Sequence, residues 1–211
     1  GDVYKRQNYN WKSRYYLTVT GRYDGASNFA ANNKWAFFPS AALKWNISNE
    51  NFLKDCSWID DLSLRLSAGR TGNDAISTYR SLEAYGTTTN GYLFGGTQSA
   101  SFFPSRVANP DLTWEKRKEF SIGIDAMLLG NRLSVEAGYY NALRDGIITD
   151  MSGTLPGIYG MDGIDTYENY NRIRYQGWEA ALYWSDRIGE VHYTVGGSLS
   201  TTRGKYLRYN E

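Results

Sequence analysis

The feature that most constrains the fold of this chain is an alternation of apolar and polar side chains with a period of two residues. It recurs in about seven segments. In one of them, a single side of the strand carries Leu133, Val135, Ala137 and Tyr139. Their neighbours Ser134 and Glu136 fall on the other side, because successive side chains of a strand point to opposite faces. Such strands, with charges on the polar face, predict part of a transmembrane β-barrel wall with lipid outside and water inside.

The predicted strands cover most of the chain. Their approximate bounds are residues 12–23, 35–48, 62–70, 113–128, 132–148, 172–185 and 190–206. A tilted strand needs about 9 to 11 residues to cross a membrane, and these segments reach that length. Strands of soluble proteins are usually shorter, about five or six residues. Pro39 lies inside the second predicted strand, and since proline cannot donate to the ladder, we expect a bulge or a gap in pairing there.

The connections between the predicted strands alternate between short and long. Gly130-Asn131 is a strong signal for a tight hairpin, whereas residues 71–112 and 149–171 are long and polar. The sequence leaves open whether an additional strand pair forms near residues 79–85 or 91–95. Outer-membrane barrels have short periplasmic turns and long extracellular loops, so this alternation is a second indication of a barrel.

Composition narrows the function further. Aromatic residues make up 16% of the chain, with 18 Tyr and 7 Trp, and such side chains favour the edges of a membrane. The net charge is +1 without a basic block or stripe, so we expect no nucleic-acid partner. His192 is the only histidine and Cys56 the only cysteine. No nucleophile, base or metal-ligand set accompanies them, so we expect neither an enzyme nor a bound cofactor.

Several stretches carry recognisable sequence motifs. They are Arg22–Phe29 (RYDGASNF), Trp35–Trp45 (WAFFPSAALKW), Leu62–Asn73 (LSLRLSAGRTGN), Asn109–Glu115 (NPDLTWE) and Gly177–Glu179 (GWE). In this order they resemble the barrel of SusC/RagA-type TonB-dependent outer-membrane transporters. The resemblance covers nearly all of residues 9–206.

The resemblance implies a barrel of about 22 strands closed by a plug, of which this chain supplies about seven. It also implies a place in the outer membrane of a Gram-negative bacterium, of the Bacteroidota, in contact with outer-membrane lipid. Energy would come from the TonB complex, and a SusD-like surface lipoprotein would help capture an oligosaccharide or peptide. Residues 8–211 would then be part of the barrel domain, whereas residues 1–7 fit neither strand nor family and are expected to be a non-native leader or a sequence artefact.

Two sets of residues are candidates for function. Aromatic and acidic residues of the long loops are candidate contacts for ligand or partner, with loop packing as an equally good interpretation: Tyr79, Tyr85, Tyr92, Phe94, Phe102, Phe103, Tyr159, Asp162, Asp165 and Tyr167. Charged residues of the polar strand faces are candidates for the lumen lining, where mixed signs favour a cross-strand ladder over substrate steering: Arg14, Arg22, Lys44, Arg65, Glu119, Asp125, Glu136 and Glu179.

An alternative is a soluble or surface-exposed β-sandwich module that binds glycans or acts as an adhesin. Alternation alone does not exclude it, because a sandwich strand also has one dry and one wet face. Strand length, the outward register of many Tyr and Trp residues and the ordered motifs all favour the barrel.

Overall fold

The structure, a computed structural model, describes residues 1–77, 80–89, 91–154 and 164–209. Its strands are β1 Asp2–Trp11, β2 Tyr15–Gly25, β3 Trp35–Asn46, β4 Ile59–Asn73, β5 Ala84–Thr88, β6 Leu93–Phe94, β7 Thr97–Gln98, β8 Ser101–Arg106, β9 Glu115–Leu128, β10 Leu133–Asp150, β11 Tyr167–Ile188 and β12 Val191–Arg208. Short 3-10 helices occupy Ala31–Asn33, Ile47–Asn49 and Ser152–Thr154. Within the described ranges, no helix has the length and hydrophobicity to cross a membrane.

Eight of these strands form one sheet in the order β1-β2-β3-β4-β9-β10-β11-β12. Every pair is antiparallel, and each strand lies beside its predecessor in the chain except that β9 follows β4. Between those two strands the chain forms two small hairpins, β5 with β8 and β6 with β7. The predicted all-β, up-and-down architecture is confirmed, and the sheet is not closed into a barrel.

Residues 2–11 require a correction, because the expectation that the first seven residues fit no strand is wrong. Each residue of β1 pairs with β2, from Asp2 opposite Asp24 to Trp11 opposite Tyr15. The sheet therefore has eight strands, one more than predicted. The alternation is weak here because Lys5 interrupts the apolar side of the strand, whereas backbone pairing needs no apolar side chain. A non-native origin of these residues stays a prediction.

The connections separate into two ends of the sheet. At one end, here called the turn end, lie residues 12–14, 47–58, 129–132 and 189–190; at the other, the loop end, lie residues 26–34, 74–114 and 151–166. The turn between β9 and β10 is tight because Leu129, Gly130 and Asn131 have φ values of 60°, 69° and 61°. Three of the four turn-end connections are short and two of the three loop-end connections are long, as predicted, but residues 47–58 at the turn end are longer than residues 26–34 at the loop end.

The register gives the sheet two different faces. One row of directly paired residues is apolar across six strands: Leu17, Leu43, Leu66, Ile122, Tyr139 and Trp178. One residue further along each strand, the row on the opposite face is Thr18, Ala42, Ser67, Ser121, Tyr140 and Gly177. We call the apolar side the outer face and the polar side the inner face.

Pro39 marks a gap in pairing, as predicted. β3 pairs with β2 without a register shift as far as Trp35, but its ladder with β4 ends at Ser40. The buried ring of Phe38 lies against Gly72 beside this gap. The two strands therefore separate at the loop end, and an aromatic side chain fills the space between them.

Candidate functional site

Ion pairs line the inner face. Arg65 on β4 reaches across to Asp125 on β9 with two contacts, Nε to Oδ2 at 2.5 Å and Nη2 to Oδ1 at 2.7 Å. Shorter-range pairs join Arg22 to Asp24 at 2.7 Å and Arg117 to Glu119 at 2.6 Å. Four of the predicted lumen residues, Arg22, Arg65, Glu119 and Asp125, thus take part in ion pairs, of which only the Arg65–Asp125 pair crosses between strands.

The other predicted lumen residues differ from one another. Lys44, Glu136 and Glu179 lie on the inner face by register, and none forms an ion pair with a residue that the structure describes. Arg14 lies in the turn between β1 and β2, where its guanidinium contacts a carboxylate oxygen of Glu50 at 3.1 Å. Arg14 therefore belongs to the turn end and holds the connection between β3 and β4.

Glu50 is the centre of this turn-end contact. Its carboxylate also accepts hydrogen bonds from the hydroxyl of Tyr15 at 2.9 Å and the indole Nε1 of Trp45 at 3.1 Å. The hydrogen bond from Tyr15, followed by that from Trp45, lowers the pKa of Glu50. The connector is thus fixed to two aromatic residues of the outer face.

Aromatic stacks mark both ends of the outer face on β2 and β3. Tyr15 stacks between Trp11 and Trp45 at the turn end, with ring centroids 5.7 and 6.0 Å apart, and Tyr23 stacks on Trp35 at the loop end at 5.1 Å. From Tyr15 to Tyr23 the strand rises about 26 Å at roughly 3.3 Å per residue. A barrel tilt of about 40° would reduce this height to about 20 Å, near the apolar band of about 25 Å in outer-membrane barrels.

Two tyrosines lie flat against the inner face because glycine occupies the opposite position. Tyr140 pairs with Gly177, and its hydroxyl reaches Thr202 on the next strand at 2.5 Å. Tyr183 pairs in the same way with Gly196. A Cβ at either glycine would overlap the tyrosine ring and a backbone carbonyl. At these two positions, glycine is needed opposite tyrosine for a local packing reason that the composition did not indicate.

Five of the predicted loop aromatics lie on the two small hairpins. Their exposed fractions range from 46% for Phe103 to 79% for Tyr92, with Tyr85, Phe94 and Phe102 between them. Residues 84–105 contain no Asp, Glu, Lys or Arg. The hairpins thus present an uncharged aromatic surface with threonine, serine and glutamine around it. The predicted residues Tyr79, Tyr159 and Asp162 lie outside the described residues.

Asp165 and Tyr167 are engaged in joining the two long connections. The guanidinium of Arg80 contacts Asp165 at 3.1 Å, donates to the hydroxyl of Tyr167 at 2.7 Å and lies 4.4 Å from its ring centroid. The backbone of Asp165 also bonds to Ser105 and Val107, at 3.2 and 3.0 Å. This arrangement favours the packing interpretation for these two residues.

A buried cluster at the loop end did not appear among the sequence candidates. It consists of Ala26, Phe29, Phe38, Leu112 and Trp114, which we call the loop-end cluster. The ring of Trp114 lies 5.7 Å from that of Phe29 and 5.4 Å from that of Phe38, and its indole donates to the carbonyl of Lys34 at 3.1 Å. All its members come from the stretches that carry the family resemblance, which was the signal available.

Glu115 extends this cluster into a hydrogen-bonded network. It is 8% exposed, and its carboxylate accepts hydrogen bonds from Arg144 at 2.6 Å, Asn73 at 3.1 Å and the backbone N–H of Ile148 at 3.0 Å. Asn169 adds a reciprocal pair with the backbone of Thr113, at 2.9 and 2.8 Å. The network thereby joins β4, β9, β10 and β11 where their loops begin.

Comparison with known proteins shows the family to which this two-faced sheet belongs. The family model described as TonB dependent receptor-like, beta-barrel, matches residues 2–210. The chain belongs to the TonB-dependent receptor β-barrel family. Members of this family are outer-membrane transporters rather than enzymes. The long connections of a TonB-dependent receptor barrel face the cell exterior, so the loop end of the sheet is its extracellular end.

Individual relatives support the resemblance to SusC and RagA. TonB-dependent receptor P3 of Formosa agariphila is 34% identical over 203 residues, which are 96% of this chain and 20% of that receptor. TonB-dependent receptor SusC of Bacteroides thetaiotaomicron is 35% identical over 171 residues, 78% of this chain and 17% of SusC. The chain spans about a fifth of the length of the curated relatives it matches.

A solved structure agrees in three dimensions. The RagAB peptide importer in its closed-closed state superposes with a TM-score of 0.82 at 26% sequence identity, covering 99% of this chain and 22% of that one. The whole eight-stranded sheet of this TonB-dependent receptor segment, β1 included, therefore has the fold of a solved transporter barrel.

Proposed function

We propose that this chain forms part of the wall of a SusC/RagA-type importer that takes up large nutrients, such as oligosaccharides or peptides, through a plugged barrel energised by TonB. The observation that carries the proposal is the registered pair of faces, one apolar across six strands and the other lined by ion pairs and hydroxyl groups. Such a wall separates lipid from an aqueous lumen.

The partners in this proposal follow from the family. RagAB is described as a peptide importer, and SusC is named as a TonB-dependent receptor. By analogy, a SusD-like lipoprotein would meet the loop end at the cell surface, and the TonB complex would act from the turn end. The charges of the inner face, among them Lys44, Glu136 and Glu179, would contact the plug or the passing substrate.

The exposed hairpins are the proposed contact with substrate or lipoprotein. Their aromatic side chains project from a base that is fixed by the Arg80 contacts and by the backbone bonds of Asp165 with Ser105 and Val107. A rigid base with exposed aromatic tips is suited to binding, because little conformational freedom is lost when a ligand is held. An uncharged surface favours ligands without strong net charge.

Removal of the hairpin tip tests this assignment in the full-length protein that carries this sequence. Tyr92 and Ser99 are joined by a backbone hydrogen bond of 3.2 Å, so deletion of residues 93–98 closes the loop without stretching it. We expect uptake of the nutrient to be lost while the barrel still assembles, as judged by its heat-dependent mobility on gels. A receptor that keeps full uptake after this deletion would contradict the role of the hairpin.

A matched pair of substitutions separates the aromatic side chains from the loop itself. Phe94 pairs with Thr97 and Leu93 with Gln98 across the same hairpin. Tyr92→Ser with Phe94→Ser is expected to reduce uptake, whereas Thr97→Ala with Gln98→Ala is expected to leave it unchanged. Equal losses in both variants would show that hairpin conformation, and not aromatic contact, is what matters.

A further inference from the structure

Basic side chains form a row on the outer face near the loop end. Arg70 on β4 is directly opposite Lys118 on β9, Lys118 is opposite Leu143, Leu143 is opposite Arg174 on β11, and Arg174 is opposite Lys205 on β12. Four of the five positions in this row are therefore basic. The members are separated widely in the sequence, so the row exists only in the folded sheet.

The row begins where the apolar part of the outer face ends. On β4 and β9 the last apolar residues are Ala68 and Phe120, and the next outward positions are Arg70 and Lys118. On β11 and β12 the basic residues Arg174 and Arg203 come two outward positions after Trp178 and Leu199. Each step is about 7 Å along a strand. The basic groups thus lie just beyond the surface that faces the acyl chains, where lipid headgroups begin.

Nearby acidic groups neutralise the row only in part. Asp145 is the acidic residue on the adjacent outward position; it holds Arg172 through two contacts of 2.8 and 3.0 Å and also interacts electrostatically with Lys118. Arg70, Lys118, Arg174 and Lys205 form no ion pair within the part of the chain that the structure describes. Like charges directly opposite each other destabilise a sheet, so an anion from outside the chain would relieve the repulsion.

We propose that this row binds the phosphate groups of anionic lipids in the leaflet at the loop end. Arginine forks match phosphate geometry, lysine adds point charge, and clusters of four or more basic residues at a membrane surface attract anionic headgroups. On β2 and β3 the same edge of the outer face carries Tyr23 and Trp35 instead. The phosphate contacts are therefore confined to the part of the wall that runs from β4 to β12. This site goes beyond transport, and its test does not depend on uptake.

The test uses the full-length protein that carries this sequence, purified in a neutral detergent. Phosphatidylglycerol is titrated into the micelles, and bound lipid is counted by native mass spectrometry while the unfolding temperature is followed. Lys118→Gln, Arg174→Gln and Lys205→Gln are combined in one variant. Lys12→Gln and Lys54→Gln at the turn end, with Arg187→Gln where β11 meets that end, remove the same charge in the control variant.

The wild type and the control are expected to bind phosphatidylglycerol and to unfold at a higher temperature with it, but not with phosphatidylcholine or inorganic phosphate. The row variant should bind on the order of a hundredfold more weakly, because each basic side chain near an anionic surface contributes about a factor of five. Equal lipid binding by the row variant and the wild type would overturn the proposal. So would a wild-type response to inorganic phosphate or a short DNA duplex instead of the lipid.

Discussion

The outer and inner faces of the sheet share one backbone but differ in what holds their side chains. On the outer face, neighbouring strands carry apolar side chains that remain partly exposed, such as Leu43, Leu66 and Ile122. On the inner face, Arg65 and Asp125 pair with each other, and Tyr140 lies over Gly177. The same backbone hydrogen bonds hold the residues of both faces. The faces therefore differ only in whether their side chains meet lipid or water.

A position in the apolar part of the outer face therefore accepts only apolar side chains. A position on the inner face accepts polar and charged side chains but only those of a suitable size. Lipid offers no partner for a charge, so the outer face selects by polarity. Water on the inner face accepts charges, but close cross-strand packing around Gly177 and Gly196 selects by size. Substitutions on adjacent residues of one strand can therefore separate the two rules.

The largest expected effect is a charge on the outer face. Leu66→Lys places an ammonium group in the apolar row, and we expect it to reduce the free energy of unfolding by about 3 kcal/mol if the position lies near the middle of the bilayer. Ser67→Lys, one residue further and on the inner face, should cost much less. Urea unfolding of the full-length protein in lipid measures both, and equal losses would break the distinction between the faces.

A methyl group on the inner face should have the next largest effect. Gly177→Ala would overlap the Tyr140 ring and the backbone of Thr201, and overpacking of this kind costs about 2 kcal/mol. Gly138 is also on the inner face, but a Cβ there would be 3.6 Å from its nearest neighbour, the carbonyl of Ile122. Gly138→Ala is the control and should leave unfolding nearly unchanged. A stable Gly177→Ala variant would show that size does not limit the inner face.

Loss of an inner-face ion pair should cost less. Arg65 is 55% exposed and Asp125 31% exposed, so solvent screens their attraction. We expect Arg65→Gln to change the free energy of unfolding by only about 0.5 kcal/mol. A double-mutant cycle with Asp125→Asn gives the interaction energy of the pair. A coupling several times larger would mean that the inner face is drier than proposed.

The smallest expected effect depends on pH at the turn end, where the outer-face aromatics Tyr15 and Trp45 meet Glu50. Because the pKa of Glu50 is lowered in the folded protein, its stabilising contribution is present above the ordinary carboxylate pKa. That contribution is lost as the pH falls through the lowered pKa. The difference in stability between the wild type and Glu50→Gln should therefore shrink on acidification, and a constant difference would contradict the assignment.

The two faces could be predicted from the sequence because a period of two residues is a local signal. β1 could not, since pairing with β2 compensates for an outward lysine at position 5. The loop-end cluster brings Phe29, Phe38 and Trp114 together over long sequence separations, and local patterns do not report such contacts. The same reason hid the outward basic row, whose members come from four strands. The long-loop aromatics were found by composition alone, and their role in binding stays a prediction.

The most direct test of the central claim is a cysteine scan of residues 119–124 on β9. Each position is replaced by cysteine in a Cys56→Ser background of the full-length protein, and outer membranes are treated with a water-soluble maleimide. The two-faced wall predicts labelling at Glu119, Ser121 and Gly123, with protection at Phe120, Ile122 and Ile124. Labelling that ignores this alternation, or that follows the opposite parity, would contradict the assignment of lipid to the outer face and water to the inner face.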